Sequence, residues 1–166
     1  VYDWIHLDQI AWYRKQSAHF ASCNNGRPLP SLAFFHIPLL EYNELIGDGK
    51  TFGNDREGGV ASSKVNSGIF ASFLDRKDVM GVFAGHDHDN DYSVMWHGIL
   101  LAYGRFTGGN TEYNHLPNGA RVILMKENAR TFTTWIRIKG GEIVDKTVYP
   151  DSYRKDDWRK RPPVGE

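Results

Sequence analysis

Apolar residues in this chain fall into short blocks separated by polar, glycine-rich stretches, and the spacing inside each block predicts its element. Ser31-Leu32-Ala33-Phe34-Phe35-His36-Ile37 and Val79-Met80-Gly81-Val82-Phe83-Ala84 are continuous apolar runs of strand length, as in strands covered on both faces; Pro38 stops the first. A helix of about a dozen residues is predicted from Gln9, with Asp8 as its N-cap and its end before the turn chemistry of Asn24-Asn25-Gly26-Arg27-Pro28. A second, short helix is predicted from Asn66 to Leu74, because Ile69, Phe70, Phe73 and Leu74 share one face. Beyond residue 91 the pattern becomes strand after strand: Ile99–Tyr103, Arg121–Met125, Thr131–Ile138 and Glu142–Val144. In Thr131–Ile138, Phe132, Thr134, Ile136 and Ile138 alternate onto one face, and Glu127-Asn128 and Gly140-Gly141 mark hairpin turns. Residues 47–63, with five glycines, read as a surface loop, and residues 149–166 as a charged, poorly ordered tail.

Early strands joined by helices and later strands joined by hairpins make the chain α/β, with a mixed sheet and an antiparallel C-terminal meander. At 166 residues and 40% hydrophobic it can form one domain with a real core. Residues 1–148 are taken as that domain. Twenty basic residues balance twenty acidic ones, which removes any global field for nucleic acid or anionic membrane. No run approaches the roughly 20 apolar residues that span a bilayer. Cys23 is the sole cysteine, so an internal disulfide and a cysteine-rich zinc site are both excluded. Trp12 and Trp135 read as core anchors, since no basic residues interleave with them for base stacking.

The chemistry is concentrated in Gly85-His86-Asp87-His88-Asp89-Asn90-Asp91, at the tip of the second buried strand, where α/β enzymes place their sites. In an extended backbone His86 and His88 would project to one side with Cα atoms about 6.5 Å apart. They could chelate one ion, or each could reach one member of a metal pair about 3.5–4 Å apart. An isolated His-x-His is usually a surface accident. The glycine before it and the carboxylates after it change that reading, because carboxylates can orient imidazoles. His36, at the end of the other buried strand, joins them if the two strands are parallel neighbours; alone, it would read as a core histidine satisfied by a carbonyl. Asp87, Asn90, Asp91 and Tyr42 are candidates for orienting ligands or lining the substrate cleft, with Glu41 beside Tyr42. His97 and Tyr92 could line the pocket or serve the strand turn. Arg105 and Asn110, in a glycine-rich loop, are weaker substrate-contact candidates. His6, His19 and His115 read as solvated.

The residues Phe34-Phe35-His36-Ile37-Pro38-Leu39 with Glu41-Tyr42, Asn66-Ser67-Gly68-Ile69-Phe70, and Gly85-His86-Asp87-His88 with Asn90-Asp91 resemble the calcineurin-like metallophosphoesterases. More narrowly they look like a bacterial branch related to purple acid phosphatases. The resemblance, over about Trp4 to Ile138, implies half of a layered β-sandwich with helices outside. It also implies a centre of two divalent or trivalent transition metals (Fe, Mn, Zn or Ni) whose bridging hydroxide attacks a phosphoester. His36 and His86 would bind one metal and His88 the other. The family's Asp-x-His and Gly-Asn-His-Asp/Glu motifs are absent, and with them the expected catalytic acid; Asp48 follows His36 and cannot replace the bridging aspartate. The expectation is therefore a C-terminal half, holding at most one metal and inactive alone. Its missing N-terminal half would be a partner, and the sheet face so exposed would favour a homodimer. Export from a bacterium is implied by the branch. The competing readings are a non-catalytic module that retains the fold, and an interaction domain with incidental histidines.

Overall fold

The computed structural model describes residues 2–44, 50–108 and 115–154. Asp48, Asn110 and the tail beyond Arg154 lie outside the described residues. Helix α1 spans Leu7–Cys23 and α2 Ile69–Arg76. The strands are β1 Ser31–Phe34, β2 Val79–Ala84, β3 Ser93–Trp96, β4 Ile99–Tyr103, β5 Gly119–Met125, β6 Phe132–Ile138 and β7 Ile143–Tyr149. They form a mixed sheet ordered β1-β2-β4-β3, parallel across β1, β2 and β4 and antiparallel at β3, and a separate antiparallel meander β5-β6-β7. The α/β class and the hairpin-built C-terminal meander are as the pattern predicts.

The layers follow from the side-chain pattern of the central strands. Every residue of β2 and β4 is buried, as a strand covered on both faces requires. Ile99, Leu101 and Tyr103 of β4 pack with Ile10, Phe70 and Phe73 on the helix side. Leu100 and Ala102 point the other way and pack with Phe132, Tyr149 and Tyr153 of the meander side. The alternation in β6 places Phe132, Thr134 and Ile136 in this interior and leaves the residues between them at its margin.

Several expectations change. The first helix is capped by His6 rather than Asp8: Gln9 Oε1 accepts the His6 N–H at 2.7 Å, and the His6 ring reciprocates in a capping box. Trp12 is 65% exposed on α1, because Ile10 and Ser17 define the buried stripe and Trp12 falls outside it. β3 was not foreseen, since four residues on the heels of an acidic turn carry too little pattern. The tail drawn from residue 149 begins inside the fold instead. Tyr149 closes β7, and Tyr153 is fully buried, its hydroxyl meeting Ser93 Oγ at 2.7 Å and Thr147 Oγ1 at 2.8 Å.

A candidate metal centre at the ends of two parallel strands

β1 and β2 are parallel neighbours, so their C-terminal ends lie at one edge of the sheet. β1 stops at Phe34, earlier than the apolar run, yet the pairing continues: the Phe35 N–H donates to the Phe83 carbonyl at 3.2 Å. The His36 carbonyl then accepts both the Gly85 and the His86 N–H, each at 3.1 Å. These bonds tie the two chain exits together and bring the two imidazoles into contact. His86 Nδ1 lies 3.2 Å from His36 Nε2, with the rings nearly perpendicular. Tyr2 packs edge-on against His86, ring centroids 4.5 Å apart. His36 is exposed and borders a cleft of about 430 Å³ between the Trp4–His6 segment and Pro38–Glu41, with Asn66 on its wall. Glu41 Oε1 accepts the Asn66 side-chain amide there at 3.0 Å.

His88 takes a different path. The chain turns after Gly85 instead of staying extended, and the His88 ring lies against Phe106, centroids 5.0 Å apart, beside a smaller recess formed with Gly104–Gly108. Among the described residues no three His, Cys, Asp or Glu side chains come close enough together to hold an ion. Two of the three expected ligands therefore meet, and the third stands apart.

The acidic residues around the histidines have structural partners of their own. Asp87 is buried; its Oδ2 accepts the Tyr103 hydroxyl at 2.5 Å and the Ala61 N–H at 3.2 Å. Asn90 Oδ1 accepts the N–H groups of Arg56 and Glu57 at 3.0 and 3.2 Å, and its amide donates to the Gly59 carbonyl. Asp91 accepts the Asn54 backbone and side-chain N–H groups on Oδ1, and its Oδ2 is ion-paired with the buried Arg105. Gly53 makes this approach possible: at φ +90° a Cβ would sit 2.8 Å from the Asp91 carbonyl oxygen. Asp89 accepts the His115 N–H at 2.6 Å and pairs with its ring. Burial pushes the Asp89 carboxyl up, but the hydrogen bonds from His115 outweigh it and hold the carboxyl below its ordinary value.

So the acidic turn gathers residues 52–61, Arg105 and His115 around the strand tip, and no hydrogen bond between these carboxylates and His36 or His86 is present among the described residues. Tyr42 does not line the cleft. It is fully buried, and its hydroxyl bonds the Val82 and Ala102 carbonyls at 2.9 and 3.0 Å, spanning β2 and β4. Arg105 is committed to Asp91 and to the Pro117 carbonyl at 2.6 Å, which gives its guanidinium a structural role. His115 is bound to Asp89 rather than simply solvated. His97 occupies the β3–β4 turn with Gly98, at φ 47°, and Tyr92 is buried with its hydroxyl on the Tyr42 carbonyl. Tyr103, Tyr2 and Phe106 were missed; only Tyr103 left a signal, a polar-tipped aromatic ending an apolar run.

No family model matches the chain. Its relatives are nevertheless purple acid phosphatase-like proteins. It is 35% identical to probable inactive purple acid phosphatase 29 of Arabidopsis thaliana across 83% of this chain and 37% of that protein. With probable inactive purple acid phosphatase 28 of the same plant it shares 38% identity, covering 82% of this chain and 36% of the relative. Phosphatase DCR2 of Saccharomyces cerevisiae is 34% identical across 87% of this chain and 26% of the yeast protein. The chain thus spans little more than a third, at most, of these relatives. They are plant and yeast proteins, which corrects the narrower placement in a bacterial branch.

Proposed function

We propose that this chain carries the His36, His86 and His88 share of the ligand set of a dinuclear metallophosphoesterase that hydrolyses phosphoesters. The observation that carries this reading is the 3.2 Å approach of His36 and His86 at the shared end of two parallel strands, in a chain whose relatives are purple acid phosphatase-like. The residues fit a metal in part. Two imidazole nitrogens meet, and neutral imidazole suits Zn, Fe, Mn or Ni. When bound, such cations neutralise charge between an anionic ester and its nucleophile and make water more acidic. This chain's own residues orient: the paired backbone exits hold His36 against His86, and Phe106 holds His88 toward a second position. The remaining ligands and the acid for the leaving group belong to motifs absent from this sequence, so the chain alone holds at most one metal and hydrolyses no phosphoester.

Elemental mass spectrometry tests this on the chain and on the His86→Ala/His88→Ala variant, after dialysis against a weak chelator. The expected result is one transition metal per chain, lost in the double variant. Equal metal in both samples would remove the histidines from the site. Three relatives bearing the name probable inactive purple acid phosphatase favour a second reading, a metal-retaining module without catalysis. Activity of the longer parent protein against a generic aryl phosphate separates the two.

We also propose that the exposed apolar surface at Phe34, Leu124 and Met125 is covered, either by the parent protein's other half or by a second copy of this chain.

A further inference from the structure

We infer that Tyr103 is the positioning residue for the histidine pair, acting through Asp87; this rests on the metal-site reading above. Asp87 is the residue between His86 and His88, so whatever fixes its side chain fixes the turn that sends the two rings to different neighbours. Two side-chain contacts do so, and one backbone bond closes the turn. The Tyr103 hydroxyl donates to Asp87 Oδ2 at 2.5 Å, the Ala61 N–H donates to the same oxygen at 3.2 Å, and the Asp87 carbonyl accepts the Asn90 N–H at 3.2 Å. Of these, the tyrosine is the contact anchored in the sheet. β4 runs parallel to β2 with Tyr103 opposite Ala84, and the Gly104 N–H bonds the Ala84 carbonyl at 2.8 Å. The base of the turn and its brace therefore rise from adjacent strands in fixed register.

The brace is itself held. The Tyr103 ring is fully buried and packs edge-on against both Tyr42 and Tyr92, centroids 5.0 Å apart in each pair. Those two tyrosines are locked in turn by hydroxyl bonds to backbone carbonyls. Burial, then the Asp87 hydrogen bond, raise the Tyr103 hydroxyl far above its ordinary value, so it remains a donor. Carboxylates commonly fix metal-binding imidazoles by accepting a ring N–H directly. Here the carboxylate acts on the backbone between the two rings.

The test is nuclear Overhauser contact between rings in the full chain, together with Co(II) titration. The unmodified chain is expected to show cross-peaks between His36 and His86 and between His88 and Phe106. Tyr103→Phe is expected to lose them and to weaken Co(II) binding about ten-fold. Asp87→Asn, which can still accept the hydroxyl, should keep them, and so should Tyr153→Phe, which removes an equally buried hydroxyl in the other core cluster, away from Asp87. Cross-peaks retained in Tyr103→Phe, or lost equally in Tyr153→Phe, overturn the inference. If Tyr103→Phe does not fold, Asp87→Ala serves in its place, and retained cross-peaks there overturn it too. A chain that takes up no Co(II) even unmodified refutes the metal-site reading, while the cross-peaks still decide the role of Tyr103.

Discussion

Single residues here divide into those whose role shows in the sequence and those whose role depends on distant partners. His36 and His86 were legible because each sits at the end of an apolar run, and parallel pairing does the rest. The acidic residues were legible as chemistry and misread as to purpose. Asp87, Asn90 and Asp91 bond residues 14 to 37 positions away, and no periodicity announces such partners. Trp12 was misassigned for the opposite reason, since size alone made it look like core. A residue-scale prediction concerns Asp145, which sits in β7 at φ 52°. Burial, reinforced by the Asp91 charge, raises its carboxyl above the usual 3.8, and Arg121 offsets only part of this. The ionised form is therefore disfavoured in the fold. That penalty is absent below the unfolded value, grows as pH rises through it, and is complete above the folded value. Asparagine tolerates the left-handed backbone. Asp145→Asn should melt higher than the unmodified chain at pH 7, with the difference vanishing as pH falls below about 4. Thermal scans with equal melting temperatures at pH 7 would show that Asp145 is not under strain.

At the scale of elements, pattern was a good guide to everything with a repeat. Both helices, both buried strands and the three-stranded meander were foreseen, because burial on one or two faces writes a period into the chain. β3 escaped for want of length, and β1 ended early because His36 gives its carbonyl to the neighbouring turn rather than to a ladder. The loop over residues 52–61 reads as polar and glycine-rich, yet it is pinned at both of its middle amides by Asn90. Asn90→Ala should free it: the Arg56 and Glu57 amides are expected to exchange hydrogen about ten-fold faster or more, a change of about 1.4 kcal/mol or above, while β2 and β4 keep their protection. Uniform acceleration across the sheet would mean instead that Asn90 supports the whole fold. Asp91 carries more, being one half of a buried ion pair. Asp91→Ala leaves Arg105 buried without its counter-charge and should cost about 3–5 kcal/mol in denaturant unfolding.

For the whole molecule, the sequence conveyed the layered architecture but not how the layers are joined. β1 lies at the open edge of its sheet, and Phe34, 64% exposed, stacks on Phe83 at that boundary. An uncharged edge strand flanked by exposed aromatic surface is a template for association. Sedimentation at micromolar concentration should therefore show a dimer or larger species, shifted toward monomer by Phe34→Glu. A monodisperse monomer without that substitution would count against the covered-face proposal.

The joint between layers is Arg121 of β5. Its Nε donates to the Tyr103 carbonyl at 2.5 Å, one terminal nitrogen to the Asp91 carbonyl at 2.6 Å, and the other to Thr134 Oγ1 at 3.3 Å. One guanidinium from the meander thus caps the end of β4 and the acidic turn while remaining bonded to its own neighbour strand. Neither sheet can open without stranding carbonyls that the same side chain satisfies. Heat or denaturant should consequently melt the two sheets in a single cooperative step, and a probe placed in the meander would report the loss of the histidine edge at the same midpoint.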